Sequence, residues 1–185
     1  SVILLGTSGS VSNIRFINFS EAAIDGGVES MELITVSNCE FSSSADGCNI
    51  SCPKALVVEF SDYLEQGSCQ VQIDQAIFNN AGIRTDSYGS TDRINLTVTN
   101  SIMNNGGRQF FFDCTPTIDG LEILGGYNDL TFVIGDDDVI FRNITSPLDE
   151  HFLRLIRLVR YGSSVPDNQI VQISEVSGSL AFETV

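Results

Sequence analysis

Three segments of this chain repeat one another in pattern, and that repetition restricts the fold more than any other feature. They are Ile34-Thr-Val-Ser-Asn-Cys-Glu-Phe-Ser-Ser-Ser-Ala45, Val71-Gln-Ile-Asp-Gln-Ala-Ile-Phe-Asn-Asn-Ala-Gly82 and Leu96-Thr-Val-Thr-Asn-Ser-Ile-Met-Asn-Asn-Gly-Gly107. Each opens with a short alternating apolar run rich in β-branched residues. Each then crosses a polar or small residue to a bulky apolar one and closes on Asn, Ser, Ala or Gly. Weaker members extend the series in both directions, at Ile14-Arg-Phe-Ile-Asn-Phe, Leu121-Glu-Ile-Leu-Gly-Gly, Ile140-Phe-Arg-Asn-Ile-Thr and Ile170-Val-Gln-Ile-Ser-Glu. A polar residue recurs near the end of the run, at Asn18, Asn38, Gln75, Asn100 and Asn143.

Alternation of this kind places every second side chain on one face of a strand. Between the runs there is too little helical patterning for ordinary βαβ crossovers, which argues against a doubly wound sheet. A sandwich of hairpins has no need for a shared register. Stacked strands do, because equivalent residues then superpose about 4.8 Å apart. The recurring Asn would sit at a bend and hydrogen-bond its counterpart one repeat away, as an internal ladder. The expectation is therefore one all-β domain over residues 1–185, a right-handed parallel β-helix of about seven irregular coils.

Thr97-Val-Thr-Asn-Ser-Ile-Met-Asn-Asn-Gly and Thr35-Val-Ser-Asn-Cys-Glu-Phe-Ser resemble the repeats of right-handed parallel β-helices. Such repeats occur in the pectin-lyase-like superfamily, in phage tailspikes and in secreted surface or adhesin proteins. Phe78-Asn-Asn-Ala and Phe141-Arg-Asn-Ile are also similar to the short Phe-and-Asn repeats of outer-membrane autotransporters. The resemblance implies a fold and leaves activity open, because many functions share this repeat.

One segment departs from the pattern. Ser146-Pro-Leu-Asp-Glu-His-Phe-Leu-Arg-Leu-Ile-Arg-Leu-Val-Arg160 starts like a helix, with a capping Ser146, Pro147 at the first position and acids in the first turn. Leu148, Phe152, Leu155, Ile156 and Val159 share a helical face, so a flanking helix near 147–160 is expected, with a strand as the other reading. Arg154, Arg157 and Arg160 lie off that face and form a candidate patch for an anionic partner.

Charge narrows the partners. With 24 acidic against 9 basic residues the formal charge is -15, which repels nucleic acid. No apolar run is long enough for a membrane helix. Chain chemistry is sparse: one His, no Gly-x-Ser-x-Gly and no phosphate loop make a nucleophilic triad or nucleotide site a poor fit. Five cysteines offer either buried thiols or disulfides, with Cys39, Cys48, Cys52 and Cys69 as bridge candidates beside Cys114. Sequons at Asn18, Asn49, Asn95 and Asn143 point with them to an extracellular or cell-surface location. The chain opens at Ser1 without Met or a signal-peptide pattern, and reads as a mature protein or as a segment of a longer one.

Polysaccharide hydrolysis needs a carboxyl acid and a carboxylate partner several Å apart. Gly135-Asp-Asp-Asp-Val-Ile140 is similar to the Gly-x-Asp-Asp-Cys-Ile pattern of polygalacturonase-type hydrolases. That similarity implies Asp137 and Asp138 as a catalytic pair, with Asp119 upstream. Val139 replaces the family's Cys, and no Gly-His-Gly follows. The same acids, Asp136, Asp137 and Asp138, form a hard-oxygen set suited to calcium; otherwise no cofactor is expected. The leading expectation is a non-enzymatic structural, adhesion or assembly module that meets copies of itself, neighbouring subunits or glycans. The alternatives are a polysaccharide lyase or glycoside hydrolase acting on a glycan, and a viral tailspike or fibre segment.

Overall fold

The computed structural model describes residues 3–4, 8–25, 33–43, 54–60, 69–87, 94–111, 114–125, 128–134, 137–147, 154–160 and 169–184. Every regular element among them is a β-strand. In chain order the strands begin with β1 (Ile3–Leu4), β2 (Ser8–Ser12), β3 (Arg15–Phe19), β4 (Ala22–Asp25), β5 (Leu33–Ser37) and β6 (Glu40–Ser43). They continue with β7 (Lys54–Phe60), β8 (Cys69–Asp74), β9 (Ile77–Asn79), β10 (Gly82–Ser87), β11 (Ile94–Asn104) and β12 (Gly107–Phe111). The last six are β13 (Cys114–Leu124), β14 (Asn128–Ile134), β15 (Val139–Thr145), β16 (Arg154–Arg160), β17 (Val171–Ser177) and β18 (Leu180–Thr184).

All pairings are parallel, and they build two sheets. One has the order β1-β4-β7-β10-β12-β14-β16-β18. The other runs β2-β5-β8-β11-β13-β15-β17, with β3, β6 and β9 continuing it beside β11. The chain alternates between the sheets, and each strand pairs with its counterpart one repeat on. The expected all-β architecture with parallel pairing is thus what the molecule has.

Corners explain the recurring polar residue. Ile73 and Ala76 are both buried, as are Val98 and Ser101, Ile118 and Leu121, and Phe141 and Ile144. Side chains three positions apart would face opposite ways in an unbroken strand. A left-handed residue between them turns the chain so that both point inward. Asn13, Asn38, Gln75, Asn100 and Asn143 hold that place with φ between 47° and 57°, and Gly120 takes it at 77°. A second corner does the same at Asn18, Asn80, Asn105 and Gly125. Asn tolerates this backbone better than other side chains with a Cβ, which is why it recurs. The amide of each corner residue is then free to reach the next repeat: Asn38 donates to the Asp74 carbonyl at 3.0 Å and Gln75 to that of Thr99 at 3.1 Å.

The core between the sheets is layered by repeat. Phe16, Phe41 and Phe78 stack face to face with centroids 4.9 and 5.4 Å apart. Further along, Phe111 stacks on Phe132 at 4.4 Å, and Phe141 meets Phe132 and Phe182 edge-on.

Several sequence expectations are corrected. The segment expected as a helix contains strand β16, whose Arg154, Ile156 and Leu158 are buried between partners β14 and β18. Residues 148–153 lie outside the described ones. Parallel neighbours on both sides supply the backbone bonds that override the helical start signals. The first repeat is also displaced: Asn13, not Asn18, is the counterpart of Asn38, since Ser12 pairs with Ser37. Strand β2, Ser-Gly-Ser-Val-Ser, has too little alternation to betray itself. Likewise Leu121 aligns with Ser101 and belongs after the corner, while Pro116 is the residue beside Leu96. Finally, the corner ladder is not internal; its Asn13 and Asn38 amides lie on the surface.

Candidate functional site

The expected acids separate into two places. Asp119 immediately precedes a corner, in the row where Asp74, Thr99 and Arg142 occupy the equivalent position. Its carboxylate takes Arg142 at 2.7 Å and the Asn143 Nδ2 at 2.6 Å. Those two donors, Arg142 foremost, hold the Asp119 carboxyl below its usual range. Asp74 accepts from Thr99 Oγ1 at 2.6 Å and from Asn100 Nδ2 at 3.1 Å, and Thr99 leads in lowering its pKa.

Asp137 and Asp138 are exposed just ahead of β15, while Asp136 lies outside the described residues. Asp138 Oδ1 accepts the Ile170 backbone N–H at 2.8 Å, and the Asp137 carbonyl accepts Gln169 Nε2 at 2.6 Å. Thr115 Oγ1 stands 3.5 Å from Asp137 Oδ2. Asp119 sits beside Arg142, which is four residues beyond Asp138 on a strand; that puts about 13 Å between the two positions. Asp119 therefore does not stand directly beside Asp137 and Asp138. Among the described residues no three His, Cys, Asp or Glu side chains converge as a metal site.

The arginines do not make one patch. Strand alternation sends Arg154 inward, where it is 1% exposed and its Nη1 donates to the Pro147 carbonyl at 3.3 Å. Arg157 faces the other way, binds Glu183 at 2.8 Å and lies 3.9 Å from the buried carboxylate of Asp129. A spacing of three unites side chains on a helix and divides them on a strand, so Arg160 again falls on the side of Arg154. The bridge candidates Cys39 and Cys69 are free buried thiols, as is Cys114. Burial pushes the Cys69 thiol up to about 11. Cys48 and Cys52 lie outside the described residues. Of the sequons, Asn18 and Asn143 are exposed, Asn95 is half-buried and Asn49 is outside the described residues.

A surface groove of about 270 Å³ crosses the first three repeats at the outer corner. Corner residues Asn13, Asn38 and Gln75 line its floor, and Ile14 and Ile77 rise beside them. Arg15 and Glu40 form an ion pair at 2.7 Å on its wall. Asn38 Nδ2 donates to Asn13 Oδ1 at 2.6 Å. The sequence did give one sign of it, the recurring corner amide. Its meaning was hidden because the first repeat was out of register. Among the described residues no helix is long and apolar enough to cross a membrane. Compared with family models, with curated proteins and with solved structures, the chain matches none.

Proposed function

We propose that the chain is a non-enzymatic, extracellular structural or adhesion module built as a right-handed parallel β-helix of the pectin-lyase-like kind. Two parallel sheets visited in alternation, with corners in register, support the fold reading. The observation that carries the functional reading is the use made of the acids. Asp74 and Asp119 serve as acceptors for donors one repeat away, and their pKa values are lowered. Carboxylates engaged in bonds between repeats are not the free acid and base that glycoside hydrolysis needs. Asp138 likewise caps a backbone amide. Exposed sequon residues Asn18 and Asn143 support an extracellular location.

The test is release of reducing ends or unsaturated ends from neutral and acidic polysaccharides, with and without calcium. No release is the expected result. Turnover that disappears in Asp137→Asn or Asp138→Asn would replace this reading with a glycan hydrolase.

A further inference from the structure

The corner ladder has a gap, and the groove lies over it. Asn38 is bonded to Asn13. One repeat further on, Gln75 holds the same left-handed position at φ 52°. Asn100 below it bypasses Gln75 and donates to Asp74 instead. The Gln75 carboxamide therefore has no side-chain partner among the described residues, and the Asn38 carbonyl oxygen receives nothing from the repeat beneath. Both groups are exposed on the groove floor. Ile14 and Ile77, 39% and 37% exposed, add apolar surface on the same side.

We infer that this groove is a binding site for a neutral sugar chain, with Gln75 and Asn38 as its polar contacts. The inference rests on the non-enzymatic adhesion reading and names the ligand class. Carboxamides offer a donor and an acceptor side by side, the complement of hydroxyls that both donate and accept. The aliphatic Ile side chains suit the C–H faces of sugar rings. Charge selects against polyanions: Arg15 is spent on Glu40, and the chain carries -15 overall. A peptide is disfavoured because the backbone is already committed, with Glu40 N–H on the Ile14 carbonyl and Ile77 N–H on that of Cys39. Between these repeats the facing backbone groups are paired, so an extended peptide could join only at the outer edge formed by β2 and β3.

The experiment is affinity electrophoresis through gels containing soluble mixed-linkage β-glucan, galactomannan or dextran, with polygalacturonate as the anionic counterpart. At least one neutral polymer should retard the protein, and polygalacturonate should not. Gln75→Gly keeps the left-handed backbone without a side chain, so it should melt at or above the parent temperature. Its retardation should fall about tenfold, the loss expected for one polar contact. Asn100→Gly, at the equivalent corner outside the groove, should be retarded like the parent. Absence of retardation by every neutral polymer overturns the inference. So does retardation equal in Gln75→Gly, or as strong with polygalacturonate. Release of sugar ends by the parent in a parallel assay would instead overturn the non-enzymatic reading while leaving groove binding to be judged by the gels.

Discussion

Asn143 donates its side-chain amide to Asp119 across one repeat at 2.6 Å, while Arg142, next to Asn143 in the chain, grips the same carboxylate at 2.7 Å. Asn100 and Thr99 do the same to Asp74 two repeats earlier. In each case a residue pair at one corner reaches an acid at the preceding corner. The outer corner is thereby fastened along the stacking direction by side chains as well as by backbone.

That arrangement makes stability depend on acid ionisation. Asp119 has a lowered folded-state pKa, so its contribution is complete above its ordinary value of 3.8 and is lost as pH falls through the folded value. Asp119→Asn should accordingly melt below the parent at neutral pH. The difference should close as pH drops beneath 3.8. Thermal melts across that range check the sign, and a gap that widens in acid would contradict it.

Phe41 is fully buried between Phe16 and Phe78. Phe41→Ala removes the middle ring of that stack and should cost about 3–5 kcal/mol in urea unfolding. Phe41→Leu should cost clearly less, because it leaves a smaller void.

Gly178 adopts φ 99°, and a Cβ there would run into the Ser146 carbonyl oxygen. Gly178→Ala should therefore destabilise by more than the roughly 1–3 kcal/mol of backbone strain alone. Asn100→Gly moves the other way on backbone strain and loses one surface bond, so it should stay within about 1 kcal/mol of the parent. Chemical denaturation of the pair separates backbone strain from ladder bonding.

Arg154 and Arg157 test the strand assignment directly. Arg154→Ala empties a buried position and should cost more than about 2 kcal/mol through lost packing and hydrogen bonding. Arg157→Ala breaks a partly exposed pair with Glu183 and a longer contact with buried Asp129, and should cost less than Arg154→Ala. Similar small losses at both positions would favour the helical face suggested by the spacing.

Cys69 is fully buried with its pKa raised to about 11. Its protonated form is favoured by folding, so this contribution is intact below the ordinary value of 9.0 and is lost as pH rises through about 11. At pH 7.5 iodoacetamide should leave Cys69 unmodified in the folded protein and alkylate it in denaturant, as read by peptide mass mapping.

Alternation at Leu96/Val98 and Val71/Ile73 was enough to determine strands with one buried face, and repetition of the run determined that they share a register. Both are local properties, set by the period of side chains along an extended backbone. The recurring Asn marked the bends, while its left-handed backbone and its place on the surface came only from the structure. The sequence alone did not settle whether Leu155–Val159 was helix or strand, since a short apolar run fits either until neighbours supply or withhold backbone partners. Tertiary structure decided that through β14 and β18. It also decided that Ser8–Ser12 is a strand and that Asn13 begins the ladder. Apart from its recurring corner amides, the groove belongs to this second kind. Its floor joins Asn13, Asn38 and Gln75 from three repeats of unequal length, and only stacking, which ignores the length of the intervening chain, brings them side by side.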